Sequence, residues 1–543
     1  MTTMTVSPSR TTASLAPLNA ATARAIALIG SAILLSPTLG FGLGFDHGFF
    51  HLETRMAARG LWPYADVFDT AFPGVLLVHA PTLLWAGSPL SLRIIDFLIQ
   101  MGAVLLIFEA SRRLANTVAG AMGALLYAST YAAAGYYHTA QRDGFAVPLL
   151  VGLLLILGRG SLAELSKRRL ALAGGLLGAA CLLRPTYALV AVVVGLIQLR
   201  GIRVAGHAGK ELLRLLCFVA PVAAPVGAFF AVYALAGRLG AVEDTLLFTA
   251  TVYPELERAS PVRVVHTLFY WAPQMLWLGV ILSVWPIFRP ASRPMEMWTW
   301  TLLLLMLAIR LIESKSYHYQ WWPAWAFAAV LAGAGFGGLI VRARQADAKS
   351  SRWHTALLVV LLGVVFPMVS LKPLGIAFRD LPAGLTAATD GSSMDGALLA
   401  DVPGQVAVAQ YLRGRVPPGY PIQLWGLYPM VYFVADRPPA SRFIVSTALV
   451  CVDRRDNRIE LVTTCETRRS KALQQRFLRE YLDDLKRRHP YIVTRDSAGS
   501  LEIIDGAHGA TDFPELREIL KRDYRVEARI NGWAVFRWRD HSP

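Results

Sequence analysis

The chain has 543 residues, 55% of them hydrophobic and 17% charged, with a mean hydropathy of +0.44. That composition excludes an ordinary soluble globular protein and points to a polytopic α-helical membrane protein. The net charge of +16 lies in short Lys/Arg clusters between apolar runs. This is the pattern of cytoplasmic loops under the positive-inside bias, so no nucleic-acid partner is expected.

Residues 1–22 are polar and Ser/Thr/Ala-rich and read as a disordered cytoplasmic N-terminus. The apolar run behind them is long for a signal-peptide core and lacks a clear small-x-small site, so it reads as an anchor. Runs near 23–43, 91–111, 115–134, 145–158, 170–184, 186–200, 213–236, 263–288, 296–312, 321–341 and 354–373 give about eleven expected spans. Basic clusters at Arg112–Arg113, Arg159 to Arg169, Arg200 to Arg214, Arg289 to Arg293 and Arg342 to Arg352 then fall on one side. That side is the cytoplasm of a plasma (inner) membrane, which leaves the C-terminal tail external. Cys181 and Cys217 lie within spans and read as packing residues.

The first external loop, 44–90, follows the first span and is rich in ionisable groups. Phe49, Leu52 and Met56 share one helical face and His51, Arg55 and Arg59 another, which predicts an interfacial helix ending at Gly60. Asp46 reads on spacing alone as its N-cap. Glu53 reads as a surface acid, and Asp66 and Asp69 as turn residues after Pro63–Tyr64. The apolar segment Pro73 to Gly87 is short for a span and reads as a second juxtamembrane or re-entrant helix.

The external cations break the positive-inside pattern. Arg93 opens the second span, Arg142 stands beside Asp143 in the second external loop, and Arg184 precedes Pro185. Arg310, Lys315 and His318 gather near the end of the ninth span. Half-buried arginines suit a phosphate through their forked donors, so together these cations read as an anion site on one membrane face.

From about 376 the composition becomes that of a soluble domain, and 376–543 is expected to be an external α/β domain. QVAVAQYLRGRV and FLREYLDDLKRRH read as helices; PIQLWG, YIVTRD, SLEIID and GWAVFRW read as strands. Cys451 and Cys465 lie where an oxidising compartment permits a disulfide, and a structural bridge between them is expected.

The order of motifs resembles the GT-C glycosyltransferases, which include lipid A aminoarabinose transferases and protein O-mannosyltransferases. The resemblance is carried by Asp46-His47-Gly48, then ARG-LWPY-ADVFD, Phe72-Pro73-Gly74, Arg93 in GSPLSLRIID, GYYHTAQRDGF, LLRPTY, SYHYQWWP and LWGLYPMVYFVADRPPASRF. It implies a GT-C-like transmembrane domain over 23–375 and inverting transfer of a sugar from a polyprenyl-phosphate donor to an acceptor hydroxyl. The acceptor is a lipid, a polysaccharide or a protein, and membrane lipid surrounds the site. On that reading Asp46 is the catalytic base, and Arg93, Arg142, Arg184 and His318 bind the donor phosphate. His47, Asp143, Lys315, Tyr64 and Tyr319 support them, and Tyr64, Tyr319 and Trp321 are candidates to stack on the sugar. His47 stands where many relatives carry a second acid, so a divalent metal stays open and no cofactor is assigned. A lipid-linked sugar flippase would also account for spans and cations, but predicts helices broken near the midplane and paired repeats. A ligase using diphosphate-linked glycans would transfer a whole oligosaccharide instead of one sugar.

Overall fold

The computed structural model describes residues 19–539 except 86–88, 206–207, 255–258, 270–273, 285–291, 346–347, 362–364, 367–370, 391–403, 456–457, 463–466 and 496–513. The first half of the chain folds into helices α1 (Ala20–Leu35), α2 (Phe45–Ala58), α3 (Gly74–His79), α4 (Pro89–Leu114), α5 (Thr117–Ala133) and α6 (Arg142–Leu157). Then come α7 (Lys167–Leu183), α8 (Ala188–Ala205), α9 (Ala208–Leu235), α10 (Leu239–Thr251), α11 (Pro261–Phe269) and α12 (Gln274–Val284). They are followed by α13 (Arg293–Glu313), α14 (Trp322–Gln345), α15 (Ala348–Val360) and α16 (Lys372–Asp390).

Five segments are long and apolar enough to cross a bilayer: Ala20–Gly40, Leu90–Leu114, Gly209–Leu235, Arg293–Glu313 and His318–Ala343. The α11–α12 pair makes a sixth if it is one broken span. The expected count of eleven is not reached by length among the described residues. Helices α5, α6 and α7 have 17, 16 and 17 residues, about 24–26 Å at 1.5 Å per residue, short of the roughly 30 Å hydrocarbon core. Exposed Leu, Ile and Val side chains on α1, α4, α8 and α9 form the apolar outer surface such a protein turns to lipid.

Small residues set the helix spacing. Gly333 and Gly337 of α14 let it press against α5 until backbones touch: a methyl at Gly337 would stand 2.7 Å from Ala119 Cα. Close backbone approach through glycine is how membrane helices associate when lipid supplies no hydrophobic drive.

Helix α16 runs on through the composition change near 376. Beyond it lie α17 (Gln405–Arg415), α18 (Pro429–Ala435), α19 (Arg468–Arg488), α20 (Pro514–Asp523) and strands β1 (Ile422–Leu424), β2 (Cys451–Arg455), β3 (Arg458–Val462), β4 (Tyr491–Arg495), β5 (Tyr524–Ile530) and β6 (Trp533–Trp538). Four strands form one sheet in the order β1-β4-β6-β5, parallel at β1–β4 and antiparallel elsewhere, while β2 and β3 pair separately. The two predicted helices and three of the predicted strands have counterparts here. SLEIID and Cys465, and with it the expected disulfide, lie outside the described residues.

Replacing Gly337 by Ala is expected to lower the melting temperature by several degrees, since overpacking costs about 1–3 kcal/mol. Gly102→Ala, with nothing within 4 Å of the added carbon, should cause no loss. Equal melting of the two variants in detergent would rule out this packing.

Candidate active site

Helix α2 starts one residue before Asp46, not behind it. Gly44 is the N-cap, and its N–H donates to His47 Nδ1 at 2.9 Å. Asp46 is therefore the second helical residue, half-buried, where the positive end of the helix dipole favours a carboxylate. The capping role inferred from spacing is not its role. Gly60, with φ +88, closes the loop behind the helix as expected. The helix does not lie on a lipid surface: residues 47–54 and Met56 are all buried.

His47 is fully buried and both ring nitrogens are committed. Nε2 donates to the Thr139 carbonyl at 2.7 Å while Nδ1 accepts from Gly44, a network that fixes one neutral tautomer. Burial, then the nearby Arg93 charge, pushes its pKa well below the ordinary imidazole value. Arg93 is equally occupied. It is fully buried, and its guanidinium donates to Phe41 O at 3.1 Å, Tyr136 O at 3.1 Å, Thr139 Oγ1 at 2.9 Å and Gly42 O. Expected to bind the donor phosphate, it here stitches the end of the first span to the loop before α6. His47 likewise acts as a pin beside Asp46.

The other cations divide sharply. Arg184 lies between two acids: Nη1 donates to Asp143 at 2.7 and 2.9 Å, and Nε and Nη2 donate to Glu313 at 3.2 and 2.8 Å. Tyr187 donates to Asp143 at 2.6 Å, and Arg310 pairs with Glu313 at 2.7 Å and donates to Gln320 at 2.7 Å. Two arginines and two carboxylates thus neutralise one another, so Arg184 and Asp143 are held by partners inside the protein. Arg142, one residue before Asp143, stays half-buried, with its guanidinium 5.7 Å from the Phe50 ring centroid. Among the described residues it makes no ion pair and no hydrogen bond.

Tyr319 is the hub. It is 5% exposed and lies within electrostatic reach of Asp46, Arg142, Tyr137 and Tyr317. Tyr317 stacks on it at 5.5 Å, and Tyr137 meets its edge at 6.4 Å. His318 packs against His138 at 5.1 Å, and Lys315 Nζ sits 3.5 Å from the Tyr253 ring centroid. Ser314, left-handed at φ +52, ends α13 and turns the chain into this segment. Asp46, Arg142 and the Tyr137, Tyr317 and Tyr319 rings thus share one neighbourhood.

Two further rings expected as candidates to stack on the sugar are buried with partners of their own. Tyr64 is buried against Phe229 and Tyr233 with its hydroxyl donating to Ala71 O at 2.8 Å. Trp321 is 1% exposed, and its indole N–H donates to Thr267 at 2.9 Å. Glu53, expected at the surface, is 1% exposed and neither of its oxygens receives a hydrogen bond of normal geometry from a described residue. It lies beside Asp69, whose Oδ1 accepts the Ala71 N–H at 3.0 Å, and Asp69 in turn faces Arg142. The missed signal was the spacing of seven residues that puts Glu53 and Asp46 on one helical face. Among the described residues no three His, Cys, Asp or Glu side chains are grouped to hold a metal.

Burial raises the Glu53 carboxyl well above its usual range, and the neighbouring Asp69 adds to the shift. The folded pair retains a proton that the unfolded chain releases near pH 4–5, so stability falls as pH rises above that range, by at most about 1.4 kcal/mol per pH unit. Glu53→Gln carries no such proton, and its melting temperature should gain on wild type between pH 5 and pH 8. Parallel melting curves would contradict the buried proton.

Residues 74–229 match the family model for dolichyl-phosphate-mannose-protein mannosyltransferases. No curated protein matches the sequence. Two structures of ArnT from Cupriavidus metallidurans are similar in fold. The one bound to undecaprenyl phosphate has a TM-score of 0.54 and 15% identity, with 94% of this chain and 96% of that chain covered. The apo form has a TM-score of 0.56 and 14% identity, covering 95% and 98%. The archaeal oligosaccharyltransferase AglB from Archaeoglobus fulgidus, in complex with an inhibitory peptide and a dolichol-phosphate, has a TM-score of 0.51 and 11% identity, covering 96% and 75%. The chain is a polytopic membrane protein with the GT-C glycosyltransferase fold.

Proposed function

We propose that the chain moves one sugar from a polyprenyl-phosphate donor to an acceptor hydroxyl, by inverting displacement on the external face of the plasma membrane. The observation that carries this reading is that Asp46 and Arg142 both lie within electrostatic reach of Tyr319, whose ring Tyr317 stacks on. A cation outside any ion pair and a helix-terminal acid, drawn from different segments, lie near one aromatic cluster, which we read as the wall of a substrate recess. No nucleotide sugars exist outside the cytoplasm, so a donor there must arrive on a lipid carrier.

Asp46 accepts the acceptor's proton as that oxygen attacks the anomeric carbon. The bond from the anomeric carbon to the phosphate oxygen breaks on the opposite side, and the lipid phosphate leaves with the electron pair. Arg142 neutralises the charge that develops on this leaving group, with Lys315 and His318 bordering the same recess. Tyr319 and Tyr317 offer ring faces to the sugar. Arg93, Arg184, His47 and Asp143 serve by holding the frame. The chemistry is the same for a hexose or a pentose and for a lipid, polysaccharide or protein acceptor.

Purified full-length protein supplied with a radiolabelled sugar–lipid fraction from native membranes should transfer label. Asp46→Asn should lose about 10²-fold or more of the rate, and Arg142→Ala about tenfold or more of kcat/KM for the donor, the worth of a charge-assisted contact. Asp46→Asn at the wild-type rate would overturn the assignment. Movement of lipid between leaflets with no sugar transfer by any variant would favour a flippase.

A further inference from the structure

Helix α2 has two working faces, and only one of them belongs to the site. At 100° per residue, Asp46, Phe50 and Glu53 point one way, while Gly48, Arg55 and Arg59 point the other. The second face is covered by α18, all seven residues of which are buried. A methyl on Gly48 would lie 2.6 Å from Met430 Cγ and closer still to its sulfur, so glycine is what lets the two helices meet. Further along, Arg55 lies 4.0 Å from the Phe433 ring centroid and donates to the Phe433 carbonyl at 3.0 Å. Arg59 donates to Asp436 at 2.9 Å, and Arg55 stands 3.6 Å from the same carboxylate.

Helix α18 is itself immobilised. Asp436, left-handed at φ +53, ends it. Arg437 then donates to the carbonyls of Val416 at 2.9 Å and Arg413 at 2.8 Å, tying it to the end of α17. The Tyr432 hydroxyl accepts from Leu424 N–H at 2.8 Å, which fixes it to β1. A short helix anchored at both edges and pressed on the back of α2 has the geometry of a stop.

We propose that α18 is a backstop that sets how far α2 projects into the recess, making Gly48, Met430 and Asp436 positioning residues for Asp46. This rests on the glycosyl-transfer reading above. A helix displaced by a few tenths of an ångström moves Asp46 off the attacking oxygen while leaving the phosphate side at Arg142 intact. The variants therefore lower kcat and leave lipid-phosphate affinity alone.

The test uses the full-length protein in nanodiscs with the radiolabelled sugar–lipid fraction, and undecaprenyl phosphate as competitor. Gly48→Ala should lower kcat about tenfold, the scale of a sub-ångström misplacement, with the inhibition constant for undecaprenyl phosphate unchanged. Adding Met430→Ala, which removes the atoms the new methyl meets, should restore most of the rate. Asp436→Lys, which sets like charge against Arg55 and Arg59, should also lower kcat without altering undecaprenyl phosphate inhibition. The proposal fails if Gly48→Ala transfers at the wild-type rate, if Met430→Ala gives no rescue, or if every variant loses competitor affinity in step with rate. Wild type that transfers no label overturns the functional reading, and the backstop with it.

Discussion

Arg184 sits between Asp143 and Glu313 with 8% of its side chain exposed, and Arg310 closes the set from the other side of Glu313. Four charges in so little water are tolerable only because they neutralise one another, since an unpaired buried charge costs several kcal/mol. The rest of the site depends on that balance. It ties α6, α7 and α13 into one frame and leaves Arg142, the residue beside Asp143, outside the ion pairs of the described residues. A cation in that position is ready for an anion from outside the protein.

The same division of labour runs through α2. Its start is pinned by His47 and Arg93, both turned inward onto backbone carbonyls, and its back is braced by α18. These hydrogen bonds to backbone carbonyls fix the geometry around Asp46. Preorganised groups of this kind do not have to reorient as charge shifts during a reaction.

Much of this was legible in the sequence. Hydropathy identified the membrane class, and the motif order around Asp46 pointed to the GT-C fold. Gly60 marked the end of α2, and QVAVAQYLRGRV and FLREYLDDLKRRH the helices of the C-terminal part. The limits were tertiary. Arg184 looked like Arg142 in sequence, because its partner Glu313 lies 129 positions away. Arg93 looked available, because nothing local reveals that four acceptors at 41, 42, 136 and 139 converge on it. The burial of Tyr64 and Trp321 was likewise invisible, since propensity cannot tell an exposed aromatic from a packed one.

The central claim is that Arg142, and not the inward-turned Arg93 or Arg184, receives the lipid phosphate opposite Asp46. A cryo-EM structure of the full chain in nanodiscs with undecaprenyl phosphate tests this most directly. The phosphate oxygens are expected about 2.7–2.9 Å from the Arg142 guanidinium, with the contacts of Arg93 and Arg184 unchanged. A phosphate held by Arg93 or Arg184 with their present partners displaced, or bound away from the Tyr319 recess, would contradict the account.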